Sequence, residues 1–435
     1  MEPLLAIVKQ MNSFLWGFPL LFLLMGTHLY FTIKLRFPQR HILKAIRISC
    51  SPIKTADTAN LSVFATLATT LAATLGTGNI IGVSTAIALG GPGAIFWCWL
   101  TGILGMATSY AECYLSICFR SRGADGIYRG GPMYVWQNGL HHPFIGKLYA
   151  FFLLLSAFSV GCSTQSNSVA QAVNTSFHLS PHITGIIMAF FAGLVILGGV
   201  KMIGSFCVKL VPPLAILYTL ACLLLLFLNR SKLPEAVWLI LQHALAPRAA
   251  ISGAVGSSLI LTARYGIARG LFTNEAGIGT AAVTAAATES TNPRSQALVS
   301  MTAVFWDTVV MCMITGLVIV TNNLKNPTSI QQVNEAGLTN AAFQYLPFMG
   351  DTFLTVCLIA FAVTTLIGWS YLGERSVEFL FGSKGISLYK LVYLLMIYLG
   401  AIIPLTFVWE CTDLINACML LPAVALLYLL QDHIT

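Results

Sequence analysis

The sequence predicts an all-α membrane protein of about eleven transmembrane helices, on three observations. The 435-residue chain is 57% hydrophobic and only 9% charged, where a soluble protein carries roughly 25% charged residues. Apolar windows long enough to cross a bilayer recur along the whole length. A glycine-rich polar turn, Gly76-Thr77-Gly78-Asn79, falls inside one of these windows, between Leu61 and Leu89. In hydrocarbon an unpaired peptide group costs several kcal/mol, so unwound backbone persists there only where it lines a cavity or meets a ligand.

Taken in order, the windows place spans near 13–33, 60–90, 93–119, 147–174, 183–200, 206–228, 251–288, 295–320, 349–381, 386–403 and 406–430. The second holds the glycine turn. The seventh is the weakest as a span, because it carries two arginines and many glycines. No linker divides the chain. Its longer loops are 34–59, 120–146, 229–250 and 321–348, and the polar last one, with Asn322, Asn323, Asn326, Gln331, Gln332 and Asn334, is a candidate lid.

The formal charge of +8 follows topology and gives no sign of nucleic acid. Lys34, Arg36, Arg40, Lys44, Arg47 and Lys54 crowd the first loop. If the spans alternate, Arg120, Arg122, Arg129, Lys147, Lys201, Lys209, Arg294, Arg375, Lys384 and Lys390 lie on the same side. The positive-inside rule makes that side cytoplasmic, with the N-terminus outside and the C-terminus inside. The first apolar run is a full span without a basic leader or cleavage site, so no cleavable signal peptide is expected. The eleven cysteines lie mostly inside spans, with no C-x-x-C pair, and read as small packing residues.

A short internal similarity links two interruptions. Asn79-Ile80-Ile81-Gly82-Val83-Ser84-Thr85-Ala86 matches Asn274-Glu275-Ala276-Gly277-Ile278-Gly279-Thr280-Ala281 in the pattern Asn-x-x-Gly-aliphatic-small-Thr-Ala. The copies lie in the second and seventh spans. An odd separation gives them opposite orientations, as in inverted-topology repeats with a binding site between two broken helices.

Each polar feature has a functional and a packing reading. An unwound turn at Leu75–Asn79 exposes carbonyls for a cation and opens a half-helix whose free N–H groups suit a carboxylate. Gly78 and Gly82 also fit a G-x-x-x-G packing motif, but packing does not account for Asn79. At the second interruption Phe272, Thr273 and Asn274 suit the wall of a small pocket, while Gly266 and Gly270 suit helix packing. Glu275 is an ion or amine partner, or pairs with Arg269 or Arg264. Thr364 and Thr365 offer hydroxyl oxygens to sodium or bond back to their own helix. Gln165 leads a polar run, Ser163 to Ser168, that faces inward. Asp307 is an ion ligand or a structural partner, and Glu112, Glu374, Glu410 and Asp413 are expected near span ends, solvated or paired.

No H-E-x-x-H, G-x-S-x-G or Walker A lysine occurs, so neither an enzyme nor nucleotide-driven transport is indicated. A voltage-sensor arginine ladder is also missing. The residues by themselves indicate a transporter of a small anionic or zwitterionic solute.

Several stretches resemble the sodium:alanine symporter family. They are Gly76-Thr77-Gly78-Asn79-Ile80, Gly90-Gly91-Pro92-Gly93-Ala94-Ile95-Phe96-Trp97-Cys98-Trp99, Gly130-Gly131-Pro132-Met133-Tyr134, Thr273-Asn274-Glu275-Ala276-Gly277-Ile278-Gly279 and Thr364-Thr365-Leu366-Ile367-Gly368-Trp369. Family members usually have Met at Cys98 and Ser at Thr273. The resemblance implies a leucine-transporter-like fold: one extra N-terminal helix (13–33), a first five-helix repeat (60–228) and an inverted second repeat (251–430) in a single transporter domain. It implies symport of Na⁺ with alanine or glycine across a bacterial-type inner membrane. It places Thr77, Gly78, Asn79, Gln165, Phe272, Asn274 and Thr365 around the amino acid. Thr364, Thr365 and the carbonyls near Ala72 and Leu75 would hold sodium. The alternative is a proton-coupled or exchange transporter of another small neutral amino acid.

Overall fold

A computed structural model describes residues 2–50, 60–123, 125–245, 259–327, 337–347 and 350–434. Among them seven helices are long and apolar enough to cross a membrane, or eight if a bent N-terminal pair counts as one span. That pair is α1 (Glu2–Leu15) and α2 (Phe18–Lys34), bent by 44° at the Trp16-Gly17 junction. Pro19 at the start of α2 tolerates the break, since its missing N–H is unneeded in a first turn.

The amphipathic α3 (Ile42–Ser49) lies within the first loop. Next come α4 (Val63–Thr74) and α5 (Ile81–Gly90), each too short to span alone, separated by the glycine turn. Then follow α6 (Ala94–Cys118), α7 (Pro143–Phe177), α8 (Pro181–Ile196) and α9 (Gly199–Leu228). A two-stranded hairpin pairs Ser121 with Arg129 and Arg122 with Tyr128 in the loop after α6. The loop expected at 229–250 contains a helix instead, α10 (Leu233–Leu245), whose buried Ala236, Ile240 and Ala244 recur every fourth residue.

The second interrupted pair is α11 (Leu259–Asn274) and α12 (Thr280–Ala286). Residues 251–258, expected to begin this span, lie outside the described residues. The chain continues through α13 (Pro293–Lys325), α14 (Leu338–Phe343), α15 (Gly350–Phe381), α16 (Ile386–Ile402) and α17 (Leu405–Leu429). Of the expected lid, Asn322 and Asn323 belong to α13, and Asn322 is fully buried. Gln331, Gln332 and Asn334 lie outside the described residues.

The two interrupted pairs run antiparallel to each other. Leu61 before α4 accepts from the Glu289 N–H and donates to Ala287 O, both at 3.0 Å. Further along, Thr70 bonds Thr284 at 2.6 Å. At the other end Thr262 donates to Gly90 O at 2.7 Å. The breaks therefore lie side by side in the interior.

Glycines set this closeness. A Cβ on Gly266 would stand 2.3 Å from Ala94 O, and one on Gly270 2.1 Å from Thr101 Oγ1, so α11 packs directly on α6. The packing reading holds for these two. It does not hold for Gly82, where a Cβ would meet nothing within 4 Å. Gly368 does the same work on α15: its Cβ would lie 2.8 Å from the Ala73 nitrogen, so α15 touches the last turn of α4.

Overpacking a tight helix contact costs roughly 1–3 kcal/mol. Gly266→Val is therefore expected to lower the melting temperature of the purified protein by several degrees. Gly26→Ala, at a position with nothing within 4 Å, should leave it unchanged or raise it slightly. Thermal melts followed by size-exclusion chromatography compare the two, and equal behaviour would contradict the packing argument.

Candidate functional site: two broken helices

After α4 the chain leaves helical geometry at Leu75 and Gly76, makes one 3₁₀ turn over Thr77–Asn79, and re-enters helix at Ile81. The stretch is fully buried. Its peptide groups are satisfied by side chains from four directions. Gln165 of α7 accepts from the Thr77 N–H at 3.1 Å. Asn79 accepts from the Gly76 N–H at 3.0 Å. Thr339 of α14 donates to Ile80 O at 2.8 Å. Thr365 of α15 donates to Leu75 O at 3.1 Å. Gly76 has no room for a side chain, since its Cβ would meet Thr365 Oγ1 at 2.7 Å and Gln165 Oε1 at 3.1 Å.

The expected residues Thr77, Gly78, Asn79, Gln165, Phe272 and Thr365 converge on this turn. The Thr77 hydroxyl is fully buried and has no hydrogen-bond partner among the described residues. Gly78 faces Thr273 and Phe272, whose nearest atoms would stand 2.8 Å and 3.0 Å from its Cβ. The Phe272 ring leans on Trp409 of α17 at 4.7 Å between centroids.

Asn79 also ties the turn to α13. Its amide nitrogen donates to Asp307 Oδ1 at 2.7 Å and Asp307 O at 3.2 Å. Asp307 is fully buried and accepts a second bond from Thr308 at 2.6 Å. The Asp307 segment, Phe305–Cys312, has the widened π geometry within α13, which often marks functional positions.

Thr364 and Thr365 follow different rules. Thr364 bonds back to Phe361 O at 2.8 Å, the local reading of a helical threonine. Thr365 divides its hydroxyl between Phe361 O at 3.0 Å and Leu75 O at 3.1 Å, which joins α15 to the first break. Ala72 lies one turn before Leu75, fully buried against Gly368.

The second break runs from Glu275 to Gly279. Glu275, Gly277 and Gly279 all take positive φ, at 55°, 99° and 84°. Asn274 accepts from the Ala276 N–H at 3.0 Å and reaches Thr101 at 3.4 Å, so its amide is engaged at the second break and not at the turn around Thr77. Tyr149 donates to Ile278 O at 2.6 Å.

Two acidic residues stand elsewhere than expected. Glu275 pairs with neither Arg269 nor Arg264; it accepts from Thr280 at 2.5 Å. Arg269 instead lies over the Trp409 ring at 4.5 Å and reaches Asp413 at 3.5 Å. Glu112, expected near a span end and solvated or paired, is 3% exposed with no hydrogen bond of good geometry. The alternation of buried Ser109, Glu112 and Ser116 on one face of α6 was the available sign. Glu374 and Glu410 are paired as expected, with Arg375 at 2.6 Å and with Asn12 at 2.7 Å.

Two buried unwound helices facing one another in a multi-span bundle are the arrangement of a membrane transporter with discontinuous helices. The same fold appears in a Na⁺-coupled sialic acid symporter, with a TM-score of 0.57 and 12% identity over 89% of this chain and 82% of that one. The profile of the sodium:alanine symporter family matches residues 1–435, and the chain belongs to that family. It is 42% identical to the sodium/alanine symporter AgcS of Methanococcus maripaludis, over 98% of this chain and 94% of the relative. It is 34% identical to the probable sodium/glutamine symporter GlnT of Bacillus subtilis, over 98% and 88%.

Asn79→Ala removes the link between the first break and Asp307 and leaves a buried carboxylate short of one donor. Substrate binding is expected to weaken by roughly 1.5–3 kcal/mol, or about ten- to a hundredfold, in protein that still purifies as a folded monodisperse species. Equilibrium binding of labelled alanine measures it, and an unchanged dissociation constant contradicts the role.

Proposed function

We propose that the protein carries alanine or glycine into the cell together with Na⁺ by alternating access. The observation that carries this reading is the first break, where Thr365 donates to the Leu75 carbonyl and Thr77, two residues on, keeps a buried hydroxyl with no partner among the described residues. On this reading the carboxylate of the amino acid meets the N–H end of α5, which favours anions. Sodium, a hard cation that prefers oxygen, takes Thr364, Thr365 and the carbonyls of Ala72 and Leu75. Thr77, Gly78, Asn79, Gln165, Phe272 and Thr365 enclose the substrate, and Asn274 holds the second break in place.

A small substrate is favoured because Phe272 is held by Trp409 and already fills the space beside Gly78. That crowding speaks for alanine or glycine over a side chain as long as glutamine. The antiparallel breaks support the inverted five-plus-five layout, in which spans 60–228 and 251–430 rock about the site. The basic loops support a cytoplasmic C-terminus.

Two outcomes are expected in proteoliposomes. Alanine uptake requires inward Na⁺ and persists without a proton gradient; equal uptake in choline and sodium buffers would refute symport and leave exchange or proton coupling. Thr365→Val keeps the shape and removes one oxygen, so the sodium half-saturation should rise about tenfold or more. Substrate affinity should fall in parallel and recover at high sodium, because linkage is reciprocal. An unshifted sodium titration would return Thr365 to a purely structural role.

A further inference from the structure

We propose that Glu112 and Glu275 form an acid pair that holds one proton at the second break, a site separate from those for the amino acid and sodium. Gly105, Thr108 and Glu112 succeed one another at spacings of three and four on α6 and so share a face. That face looks onto the break: a Cβ on Gly105 would stand 3.1 Å from the Ala276 Cβ. The Glu112 carboxyl is directed at the backbone amides of Gly277 and Gly279 without closing a hydrogen bond of good geometry. Glu275 opens the break, 2% exposed, with Thr280 donating to one of its oxygens.

His28 of α2 completes the enclosure and is the second sign of a ligand. It is fully buried, and its Nδ1 lies 2.7 Å from Thr108 Oγ1. Its Nε2 has no partner among the described residues and would stand 3.4 Å from a Cβ on Gly105. Its Cε1 would stand 3.8 Å from a Cβ on Gly277. A free ring nitrogen therefore points into the space between α6 and the break.

Among the described residues no cation balances the pair. Among the described residues no ion pair involves Glu112 or Glu275. Arg269 is the nearest basic residue along α11 at five positions before Asn274, and it is turned to Asp413 and Trp409. Of the other ionisable groups, Tyr149 of α7 and Asp307 of α13 act on Glu275 or on both acids. Tyr149 already donates to Ile278 O, and Asp307 adds only more negative charge. Two carboxylates enclosed together in a low dielectric cannot both be ionised without a counter-charge.

A proton fits this space better than a metal ion. No cluster of three acidic, histidine or cysteine side chains with metal-binding geometry occurs among the described residues. The nearby hydroxyls of Tyr149 and Thr280 are used as donors. One proton taken from solvent converts one carboxylate to a neutral carboxyl and removes the uncompensated second charge. Losing that proton puts a second negative charge against a strained turn.

The test reads protonation directly and does not depend on sodium or alanine coupling. Infrared spectra of the purified full-length protein at neutral pH are compared with those of Glu112→Gln and Glu275→Gln. The expected result is a protonated-carboxyl stretching band, downshifted in D2O, that both variants lack; any Asp307 contribution would remain in all three. A wild type without such a band, or a band retained in both variants, overturns the proposal. So does a band discharged by Na⁺ at constant pH, which would make the occupant a metal cation. If neither variant folds, His28→Ala should shift the band by removing the ring nitrogen that faces it, and a band unmoved by that change also overturns the proposal.

Discussion

Peptide groups exposed at membrane depth have to be satisfied by the protein itself, and this constraint organises the whole structure. Water cannot do it, and neither can lipid. At the first break the partners come from α7, α14, α15 and the turn's own Asn79. At the second they come from α7 and Asn274. Helix α7 thus serves both, with Gln165 at one and Tyr149 at the other. A change in the spacing of any of these helices strands a buried donor or acceptor, a penalty of about 1–3 kcal/mol each. The breaks and the bundle therefore specify one another.

This explains why the glycines cluster where they do. Gly266 and Gly270 bring α11 onto α6, and Gly368 brings α15 onto the end of α4. Thr364 and Thr365 stand one turn before Gly368, so the contact that omits a side chain is what lets a hydroxyl reach Leu75. Gly76 is small for a different reason: the space its Cβ would need holds Thr365 and Gln165.

Much of this was legible in the sequence, and the rest was hidden for a physical reason. Gly76 to Asn79 stood out because polar, flexible residues inside an apolar window violate the rule for the window. The convergence of Gln165, Phe272 and Thr365 on that turn followed from the family resemblance. Periodicity gives a residue's depth in a span but not the direction its helix turns it. Glu112 looked terminal by depth, yet α6 rotates it into the interior. Arg269 looked like the natural partner of Glu275, six residues on, but the helix aims it at Trp409 and Asp413. Residues 229–250 read as loop because no apolar window there is long enough to span, yet the buried stripe of Ala236, Ile240 and Ala244 has helical spacing.

The two breaks differ in how their oxygens are engaged, and that difference bears on which ligand each suits. At the first, the Thr365 hydroxyl is shared between two carbonyls at nearly equal distance. Turning it wholly to Phe361 frees the Leu75 carbonyl at the cost of one weak hydrogen bond, and the hydroxyl's lone pairs, which donation does not use, stay available. A cation arriving there replaces an interaction instead of breaking into a closed network. At the second break the Ile278 carbonyl is held by a fully buried tyrosine, and the hydroxyl of Thr280 is held by a carboxylate. Nothing there turns aside cheaply. What is left open is carboxyl and imidazole, groups that exchange a proton without moving a heavy atom. The first break is thus suited to a ligand that must be desolvated and coordinated, and the second to one that is not.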